Sequence, residues 1–182
     1  MANLTIGDRM IDFKLPATDG RTYSSSDLQD KRALVVIFSC NHCPYVRAWE
    51  DRMVAIQRDY AGKGVQLVAI NANDVRQQPG DSFEAMAERA REKGFNFPYL
   101  RDETQEVARA YGAERTPEVF VFDAARRLVY HGRIDDNYED PEQVRSHYLR
   151  RAIDAALEGR RPEVPETPPQ GCTIKWAPQH AA

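Results

Sequence analysis

The stretch that decides the fold is Ala33-Leu-Val-Val-Ile-Phe-Ser-Cys-Asn-His-Cys-Pro-Tyr45. Its first six residues are apolar at every position and rich in β-branched side chains. Such a run is typical of a strand that helices cover on both faces of a sheet. We therefore expect residues 33–38 to form a central strand, with two cysteines placed directly after it.

A long helix is predicted to follow the cysteines. The apolar side chains that recur there at helical spacing are Val46, Trp49, Met53, Ile56 and Tyr60. The helix should end near Gly62, and residues 65–70 are again apolar and β-branched. Residues 33–70 thus predict a strand, a helix and a second strand, with a right-handed crossover that makes the two strands parallel.

The chain on either side of this unit predicts further elements. Residues 11–23 hold Asp19-Gly20 between two short apolar stretches, which favours a small hairpin with a glycine-assisted turn. A second amphipathic helix should stop at Gly94. The side chains expected to face inward from it are Phe83, Met86, Ala87 and Ala90.

A short helix is predicted next. Asp102 and Gln105 resemble a capping box, in which the two side chains satisfy the first free backbone amides of a helix. This helix should pass through Val107 and Tyr111 and close at Gly112.

The rest of the body predicts a hairpin and a last helix. Residues 118–122 and 128–130 flank a four-residue loop and favour an antiparallel hairpin. Asp140-Pro141 supplies an N-cap and a first-turn proline for a helix that should run to about Leu157, before Gly159.

The end of the chain has a different composition. Residues 160–182 contain five prolines, which exclude a regular helix or an inner strand. We expect this tail to lie extended over the surface, with Cys172, Ile174 and Trp176 docking it on a domain formed by residues 1–159.

Composition and charge limit the function. The chain has 182 residues, of which 42% are hydrophobic and 29% charged, enough for the core of one domain. A net charge of −3 without long runs of one sign argues against nucleic-acid or acidic-membrane partners. No apolar stretch approaches the ~20 residues of a membrane helix. The first residues lack the pattern of a secretory signal, so we expect a cytoplasmic protein.

The chemistry is expected at Cys40 and Cys43, where the buried strand gives way to the helix. Unpaired amides in the first turn of a helix stabilise a thiolate, so we expect a depressed pKa at Cys40. A spacing of three residues brings Cys43 within disulfide distance.

This spacing predicts a catalytic cycle. An exposed Cys40 thiolate would attack a partner disulfide, and the more sheltered Cys43 would resolve the mixed disulfide. A protonated His42 would further favour the thiolate, and Pro44 fits the first helical turn, where its missing N–H costs nothing.

The pair has two other interpretations, inert packing and half of a zinc site. Inert packing is disfavoured because the cysteines stand at a strand-to-helix junction instead of on an inward helical stripe. A structural zinc site needs a second close pair of ligands. The remaining candidates form no such pair: His42, His131, His147, His180 and Cys172.

Several fragments together resemble the thioredoxin superfamily, most closely its peroxiredoxin-like, AhpC/TSA-related branch with a Cys-Asn-His-Cys-Pro motif. They are Cys40-Asn-His-Cys-Pro-Tyr45, Ile70-Asn-Ala-Asn-Asp74, Arg101-Asp-Glu-Thr-Gln105, Arg115-Thr-Pro-Glu118, His131-Gly-Arg-Ile-Asp-Asp136 and Gly171-Cys-Thr-Ile-Lys-Trp176. The resemblance implies an α/β, thioredoxin-like fold: a central mixed sheet with helices on both faces, the N-terminal hairpin and the extended tail. It makes the helix at residues 81–93 an insertion. It also implies that the Thr116-Pro117 bond is cis and faces the cysteines, so that Thr116 offers its backbone to an extended substrate.

The sequence departs from thioredoxin in ways that bear on the partner. Ser39 replaces the tryptophan before the first cysteine, and Asn41-His42 replaces Gly-Pro between the cysteines. A histidine next to the second cysteine is similar to the pattern of bacterial disulfide-forming oxidases, which suggests a stronger oxidant than thioredoxin.

A thiol peroxidase is the main alternative. The peroxiredoxin motif, laid on this sequence, puts the peroxide-reacting position at Cys43, followed by Pro44. Cys40 then occupies its threonine position and Val36 its proline position. Arg115 and Arg133 are the candidate arginines, and Cys172 or Cys40 would be the resolving thiol.

The remaining polar residues have structural interpretations. Cys172 is expected to anchor the tail as a small apolar residue in preference to a third redox role, since nothing near it in sequence would lower its pKa. His131 is expected to be a strand residue. The polar residues after it favour capping and turn hydrogen bonds: Arg133, Asp135, Asp136 and Asn137.

The leading hypothesis is a thiol-disulfide oxidoreductase without a dissociable cofactor. Its partners would be a disulfide-bearing protein or a small thiol or disulfide, together with a reductase or thiol reductant. A third interpretation is a thioredoxin-like binding or metal-holding module whose cysteines do not turn over.

Overall fold

The computed structural model describes residues 4–178. Its elements, in chain order, are β1 (Lys14–Pro16), β2 (Thr22–Ser24), β3 (Ala33–Phe38), α1 (Pro44–Tyr60), β4 (Val65–Asn71), α2 (Phe83–Glu92), β5 (Tyr99–Arg101), α3 (Glu106–Tyr111), β6 (Arg115–Thr116), β7 (Glu118–Phe122), β8 (Leu128–Gly132), α4 (Tyr148–Leu157) and β9 (Cys172–Thr173).

A five-stranded mixed sheet forms the centre of the fold, in the order β5-β4-β3-β7-β8. β3 is parallel to β4 and antiparallel to β7, and all six of its residues are buried. The prediction of a central strand at residues 33–38, followed by a helix and a parallel strand, is therefore confirmed. The predicted hairpins are confirmed as well, because β1 pairs with β2 and β7 with β8 in antiparallel register.

Two apolar cores lie on opposite faces of this sheet. Ala33, Val35 and Ile37 of β3 face α1, α2 and α4, where Trp49 and Met53 are fully buried. The alternate β3 side chains face the hairpin and α3 in a second core. Side chains alternate between the two faces of a strand, so a run that is apolar at every position serves both cores. Helices on both faces are thus confirmed.

Of the four side chains expected to face inward from the second helix, only Met86 is fully buried, while Ala87 and Ala90 are half-buried. Met86 is fully buried, but Phe83, which was expected to face inward, is 42% exposed, so this prediction is wrong. Phe83 is the first residue of α2, with Ser82 as N-cap. It lies one turn before Met86, the residue at which the helix enters the core.

The predicted capping box at Asp102 and Gln105 is wrong in its details. α3 has Gln105 itself at the N-cap, in a left-handed conformation with φ 66°. The Asp102 carboxylate accepts a hydrogen bond from the amide of Ala108 at 2.8 Å. The Gln105 side chain turns away and donates to the carbonyl oxygens of Ala72 and Lys175. The predicted closure of the helix at Gly112 is confirmed.

The last helix begins later than predicted. Asp140 caps only a single 3-10 turn, Pro141–Gln143, and α4 starts at Tyr148. The intervening residues pair with the loop after β8, because the amide of Arg145 donates to Asp136 Oδ1 at 2.9 Å and Ser146 accepts from the Asp136 amide. These contacts hold the backbone out of the helical conformation.

The chain covers both outer edges of the sheet. Ala17, which follows β1, bridges Leu100 of β5, and Glu166 of the tail bridges His131 of β8. Further along the tail, β9 pairs with β6, and Ile174 is buried. Trp176, further along the tail, lies against the Arg109 guanidinium. Within residues 4–178, no helix has the length and apolar character that a bilayer crossing requires.

Candidate active site

The two cysteines lie between the C-terminal end of β3 and the start of α1. Cys40 comes two residues after β3, and Cys43 is the N-cap of α1. Pro44 occupies the first helical turn, as predicted. Both cysteines are only 4% exposed, so the expectation of an exposed Cys40 is wrong.

A third cysteine joins the pair from the tail. Sγ of Cys172 lies 2.7 Å from Sγ of Cys43, and the three cysteines are all free thiols. The contact arises because β9 pairs with β6 and sets Cys172 directly opposite Thr116. The side chain of Cys172 is partly exposed at the rim of the cluster.

Thr116 contacts both members of the Cys40–Cys43 pair. Its hydroxyl oxygen lies 3.3 Å from Cys40 Sγ, and its carbonyl oxygen lies 3.4 Å from Cys43 Sγ. The bond between Thr116 and Pro117 is cis, as the family resemblance implies. Thr116 therefore faces the cysteines from the strand across the site.

The electrostatics favour a thiolate at Cys43. The thiol of Cys40 donates a hydrogen bond to it, and the thiol of Cys172 and the backbone N–H groups of Val46 and Cys172 add three more. Together they lower the pKa of Cys43, although burial opposes this. Val46 belongs to the first turn of α1, whose amides have no helical partner. Because α1 begins directly after Cys43, the free amides of its first turn stabilise the thiolate of Cys43 and not that of Cys40.

The same arrangement raises the pKa of Cys40. Its thiol proton is held in the hydrogen bond with Cys43, and burial removes the sulfur from water, so the pKa lies well above the ordinary value. The prediction of a depressed pKa at Cys40 is therefore wrong. Burial, and then the contact with Cys43, also raises the pKa of Cys172 to about 11.

A buried polar network holds the turn between the cysteines. The Asp81 carboxylate, 1% exposed, accepts hydrogen bonds from the Asn41 backbone amide at 2.7 Å, Asn71 Nδ2 at 2.9 Å and Asn73 Nδ2 at 3.0 Å. The Tyr99 hydroxyl donates to Asn41 Oδ1 at 2.7 Å. Sequence reasoning missed Asp81, although Asn71 and Asn73 belong to one of the fragments that carry the family resemblance.

His42 points away from this network. Its ring is exposed and lies against Gly80, where a Cβ atom would sit 2.1 Å from His42 Nε2. Arg47 Nη2 lies 3.1 Å from His42 Nδ1, within hydrogen-bond distance. The influence of His42 on the thiolate stays a prediction.

A cavity of about 200 Å³ opens onto the cysteines. It is smaller than the ~300–1,000 Å³ of typical small-molecule pockets. Besides residues 40–44, the residues that line it are Asn73, Gln78, Asp81, Thr116, Cys172, Thr173 and Lys175. A partner larger than a few atoms would therefore lie across this opening.

The other polar candidates have structural roles. His131 lies in β8, where Glu118 and Glu166 contact its two ring nitrogens at 2.7 and 3.2 Å. Asp135 accepts hydrogen bonds from Trp49 and Arg52. Within residues 4–178, no group of three or more His, Cys, Asp or Glu side chains has an arrangement that could hold a metal ion. His180, the remaining zinc candidate, lies outside the described residues.

The chain is similar to curated proteins and to proteins of solved structure. It is 26% identical over 122 residues to the thiol-disulfide oxidoreductase ResA of Geobacillus thermodenitrificans, a match that covers 66% of this chain and 64% of ResA. An uncharacterized conserved protein from Geobacillus kaustophilus is 42% identical, with a TM-score of 0.91 over 97% of this chain and 95% of that one.

The fold has more distant neighbours. A thioredoxin family protein of Chlorobium tepidum, named a thiol:disulfide interchange protein, superposes with a TM-score of 0.60 at 24% identity, covering 70% of this chain and 86% of that one. This likeness shows the thioredoxin-like fold. The family model for AhpC/TSA proteins matches residues 6–131, which include the central sheet and the Cys40–Cys43 pair. The chain therefore belongs to the AhpC/TSA family.

Proposed function

We propose that the protein is a thiol-disulfide oxidoreductase that exchanges electrons with protein or small-molecule disulfides through Cys40 and Cys43. One observation carries this proposal: Cys40 and Cys43 lie in one buried cluster at the N-terminus of α1, where the contact with Cys40 lowers the pKa of Cys43. A thiolate beside a protonated thiol is the pair that disulfide exchange needs.

The reaction runs in two exchange steps. The Cys43 thiolate attacks one sulfur of the partner disulfide, so that a Cys43–partner disulfide forms and the second partner sulfur leaves as a thiolate. Cys40 then gives up its proton and attacks Cys43, which forms the Cys40–Cys43 disulfide and releases the first partner sulfur. The partner gains two electrons and the enzyme loses two. A thiol reductant or a reductase reverses the steps.

This assignment exchanges the roles that the sequence predicted for the two cysteines. The prediction placed the free helix amides at Cys40, but the helix starts at Pro44 and its amides reach Cys43. Cys43 is therefore the attacking sulfur in our proposal, and Cys40 the resolving one.

The comparisons support this class of chemistry. The ResA proteins that the chain resembles are named thiol-disulfide oxidoreductases, although the match spans less than two thirds of their length. The small cavity adds a constraint on the partner. Because a long ligand must lie across the opening, a disulfide in an extended segment fits better than one in a bulky folded surface.

Cysteine variants test the proposal. Cys43→Ser should abolish the reduction of oxidised glutathione, whereas Cys172→Ser should keep it. The double variant Cys40→Ser, Cys172→Ser should stop after the first step and accumulate a glutathione adduct on Cys43, which intact-protein mass spectrometry detects. Full turnover by Cys43→Ser would refute the proposed function.

The thiolate at Cys43 also favours a second candidate, peroxide reduction. Cys43 would displace alkoxide or hydroxide from a peroxide and become a sulfenic acid, which Cys40 or Cys172 would convert to a disulfide with release of water. The candidate arginines are engaged elsewhere, since Arg115 donates to the Gly171 carbonyl and Arg133 to Gln170. A sulfenic-acid probe on the Cys40→Ser, Cys172→Ser protein after one equivalent of hydrogen peroxide decides the question: labelled Cys43 supports peroxidase chemistry, and unlabelled Cys43 removes it.

A further inference from the structure

The tail carries Cys172 to the site as part of a paired strand. β9 runs antiparallel to β6, with Thr173 opposite Arg115 and Cys172 opposite Thr116. The next residue continues the pairing, because the amide of Ile174 donates to the Glu114 carbonyl at 2.9 Å. The strand edge beside the cysteine pair is thus occupied by the chain itself.

Gly171 makes this close approach possible. A Cβ atom at Gly171 would lie 2.0 Å from the carbonyl oxygen of Thr116 and 2.5 Å from its carbonyl carbon. These are backbone atoms that cannot move aside as a flexible side chain would. Any residue other than glycine would therefore push the tail away from Thr116 and move Cys172 with it.

Contacts on both sides fix the position of Cys172 along the edge. Before it, Thr167 Oγ1 hydrogen-bonds the Tyr130 hydroxyl at 2.7 Å and accepts from the Arg133 amide at 3.0 Å. After it, the Lys175 amide donates to Asn73 Oδ1 at 2.9 Å, and Trp176 covers Arg109. The contacts of the tail on both sides of Cys172 therefore determine the short distance between the Cys172 and Cys43 sulfurs.

We propose that Cys172 is a third redox thiol of this site, carried by a strand that occupies the place of an extended disulfide-bearing substrate. The inference rests on the proposed function and adds two claims to it. The oxidised enzyme holds its one disulfide either as Cys40–Cys43 or as Cys43–Cys172. A peptide substrate must displace residues 171–173 from Thr116 before its own sulfur reaches Cys43.

The two oxidised forms interconvert without any further reagent. Cys172 loses its proton and attacks Cys43 of the Cys40–Cys43 disulfide; the Cys43–Cys172 bond forms, the Cys40–Cys43 bond breaks, and Cys40 leaves as a thiolate that takes up the proton. Two electrons have been removed from the chain in either form. The exchange frees Cys40 while Cys43 stays protected by the tail.

Disulfide mapping tests the third thiol. Trypsin cleavage leaves Cys40 and Cys43 together on residues 33–47 and Cys172 on residues 161–175. After equilibration with oxidised glutathione and alkylation of free thiols, wild type should give both an internal bond in the first peptide and a cross-link between the two peptides. Cys40→Ser should give the cross-link alone, and Cys172→Ser the internal bond alone.

The outcomes separate the two proposals. If Cys40→Ser forms no cross-link while wild type forms the internal bond, the third thiol is refuted and the proposed function stands. If wild type forms neither bond and does not turn over, the proposed function itself fails.

A glycine substitution tests the strand. Gly171→Ala should lower the cross-linked fraction several-fold and raise turnover of an extended peptide disulfide several-fold, with little change for oxidised glutathione. Gly62→Ala is the matched control, since no atom lies within 4 Å of a Cβ built there. Unchanged cross-linking and unchanged peptide turnover in Gly171→Ala would overturn the claim that residues 171–173 occupy the substrate strand. Cys172→Ser, which keeps the strand, should leave the peptide preference unaltered and so separates loss of the thiol from loss of the strand.

Discussion

The carboxylate of Asp81 lies 2.7 Å from the backbone nitrogen of Asn41, and this hydrogen bond ties the turn between the two active-site cysteines to a segment forty residues further along the chain. The contact is buried, as are the bonds that Asn71 and Asn73 donate to the same carboxylate. One side chain thus satisfies three donors behind the cysteine pair. An unmet donor in such a place is costly, so this carboxylate contributes both to stability and to the geometry of the turn.

Asp81→Ala should therefore destabilise the fold by about 3 kcal/mol, since it leaves the Asn41 backbone amide and the Asn73 side-chain amide without this acceptor and removes one of the two acceptors of Asn71 Nδ2. It should also slow disulfide turnover, because the turn that positions Cys40 and Cys43 loses its anchor. Urea unfolding and glutathione turnover measure the two effects. Glu88→Ala is the control: Glu88 is an exposed acid on α2, and its loss should change the free energy of unfolding by no more than about 0.5 kcal/mol. Equal stability of the two variants would contradict the role given to Asp81.

The ultraviolet absorbance of the thiolate should reveal which cysteine ionises first. The pKa of Cys43 is lowered, so reduced wild type should keep a thiolate as the pH falls well below about 8.5, the ordinary pKa of a cysteine. Cys43→Ser should lose this low-pH absorbance. Cys40→Ala should shift it to higher pH, because alanine has no donor to replace the largest hydrogen bond to the thiolate. Absorbance that survives at low pH in Cys43→Ser would instead assign the thiolate to Cys40.

The histidine between Glu118 and Glu166 should make stability depend on pH. Burial alone would lower the pKa of His131, but the hydrogen bond and charge of Glu118, followed by those of Glu166, raise it above 6.5. Because the pKa of His131 is higher in the folded than in the unfolded state, protonated His131 stabilises the fold. This stabilisation is complete below pH 6.5 and is lost as the pH rises through the folded-state pKa.

His131→Gln should remove this slope from the free energy of unfolding measured between roughly pH 6 and pH 9. The control is His147→Gln, since His147 is exposed ahead of α4 and its replacement should leave the slope in place. Hydrogen exchange at Thr167, whose amide bonds to the His131 carbonyl, should rise with pH more in wild type than in His131→Gln. A slope that persists in His131→Gln would rule out this histidine as its source.

Asp135 should contribute to the free energy of unfolding and not to the rate of disulfide exchange. Its carboxylate accepts from Trp49 Nε1 at 2.9 Å and from Arg52 Nη1 at 2.8 Å, with both acceptor and ring buried. Asp135→Ala should cost about 3 kcal/mol in urea unfolding, because the buried Trp49 N–H loses its acceptor and the half-buried Arg52 guanidinium loses its counter-charge. Glutathione turnover well below the melting temperature should stay close to wild type, as it should in the exposed control Glu139→Ala. Loss of turnover in folded Asp135→Ala would show that this residue acts on the active site.

The features that could be predicted from the sequence depend on periodic patterns of residues or on residues that are close together in the chain. The apolar run of β3, the periodicity of α1 and the cysteines at their junction all follow from residues near each other in the chain. The helix start within that junction did not follow. Pro44 is compatible with a helix that starts at Cys40 and with one that starts after Cys43. A shift of one turn decides whether the free backbone amides donate to Cys40 or to Cys43.

The missed parts of the site are long-range contacts. Cys172 is 129 residues from Cys43, and the strand that carries it has two residues, too few for any periodicity. Asp81 follows a proline and a glycine in a segment without a pattern, so nothing local indicates that its carboxylate is buried. The late start of α4 has the same origin, because hydrogen bonds from the loop after β8 compete with the helix for residues 144–147.

The covered edges of the central sheet have a consequence for association. A bare edge strand presents a row of unpaired amide and carbonyl groups that can template growth by other chains. Here the Thr18 amide donates to the Tyr99 carbonyl on one side. On the other side the His131 amide donates to the Pro165 carbonyl, and the His131 carbonyl accepts from the Thr167 amide of the same proline-rich segment. Those prolines interrupt the ladder on their outer side, since they have no N–H to donate. Truncation after Gly159 would uncover β8 and allow edge-to-edge strand pairing between copies of the protein. The segment that delivers a sulfur to the active site is thus also a safeguard against aggregation.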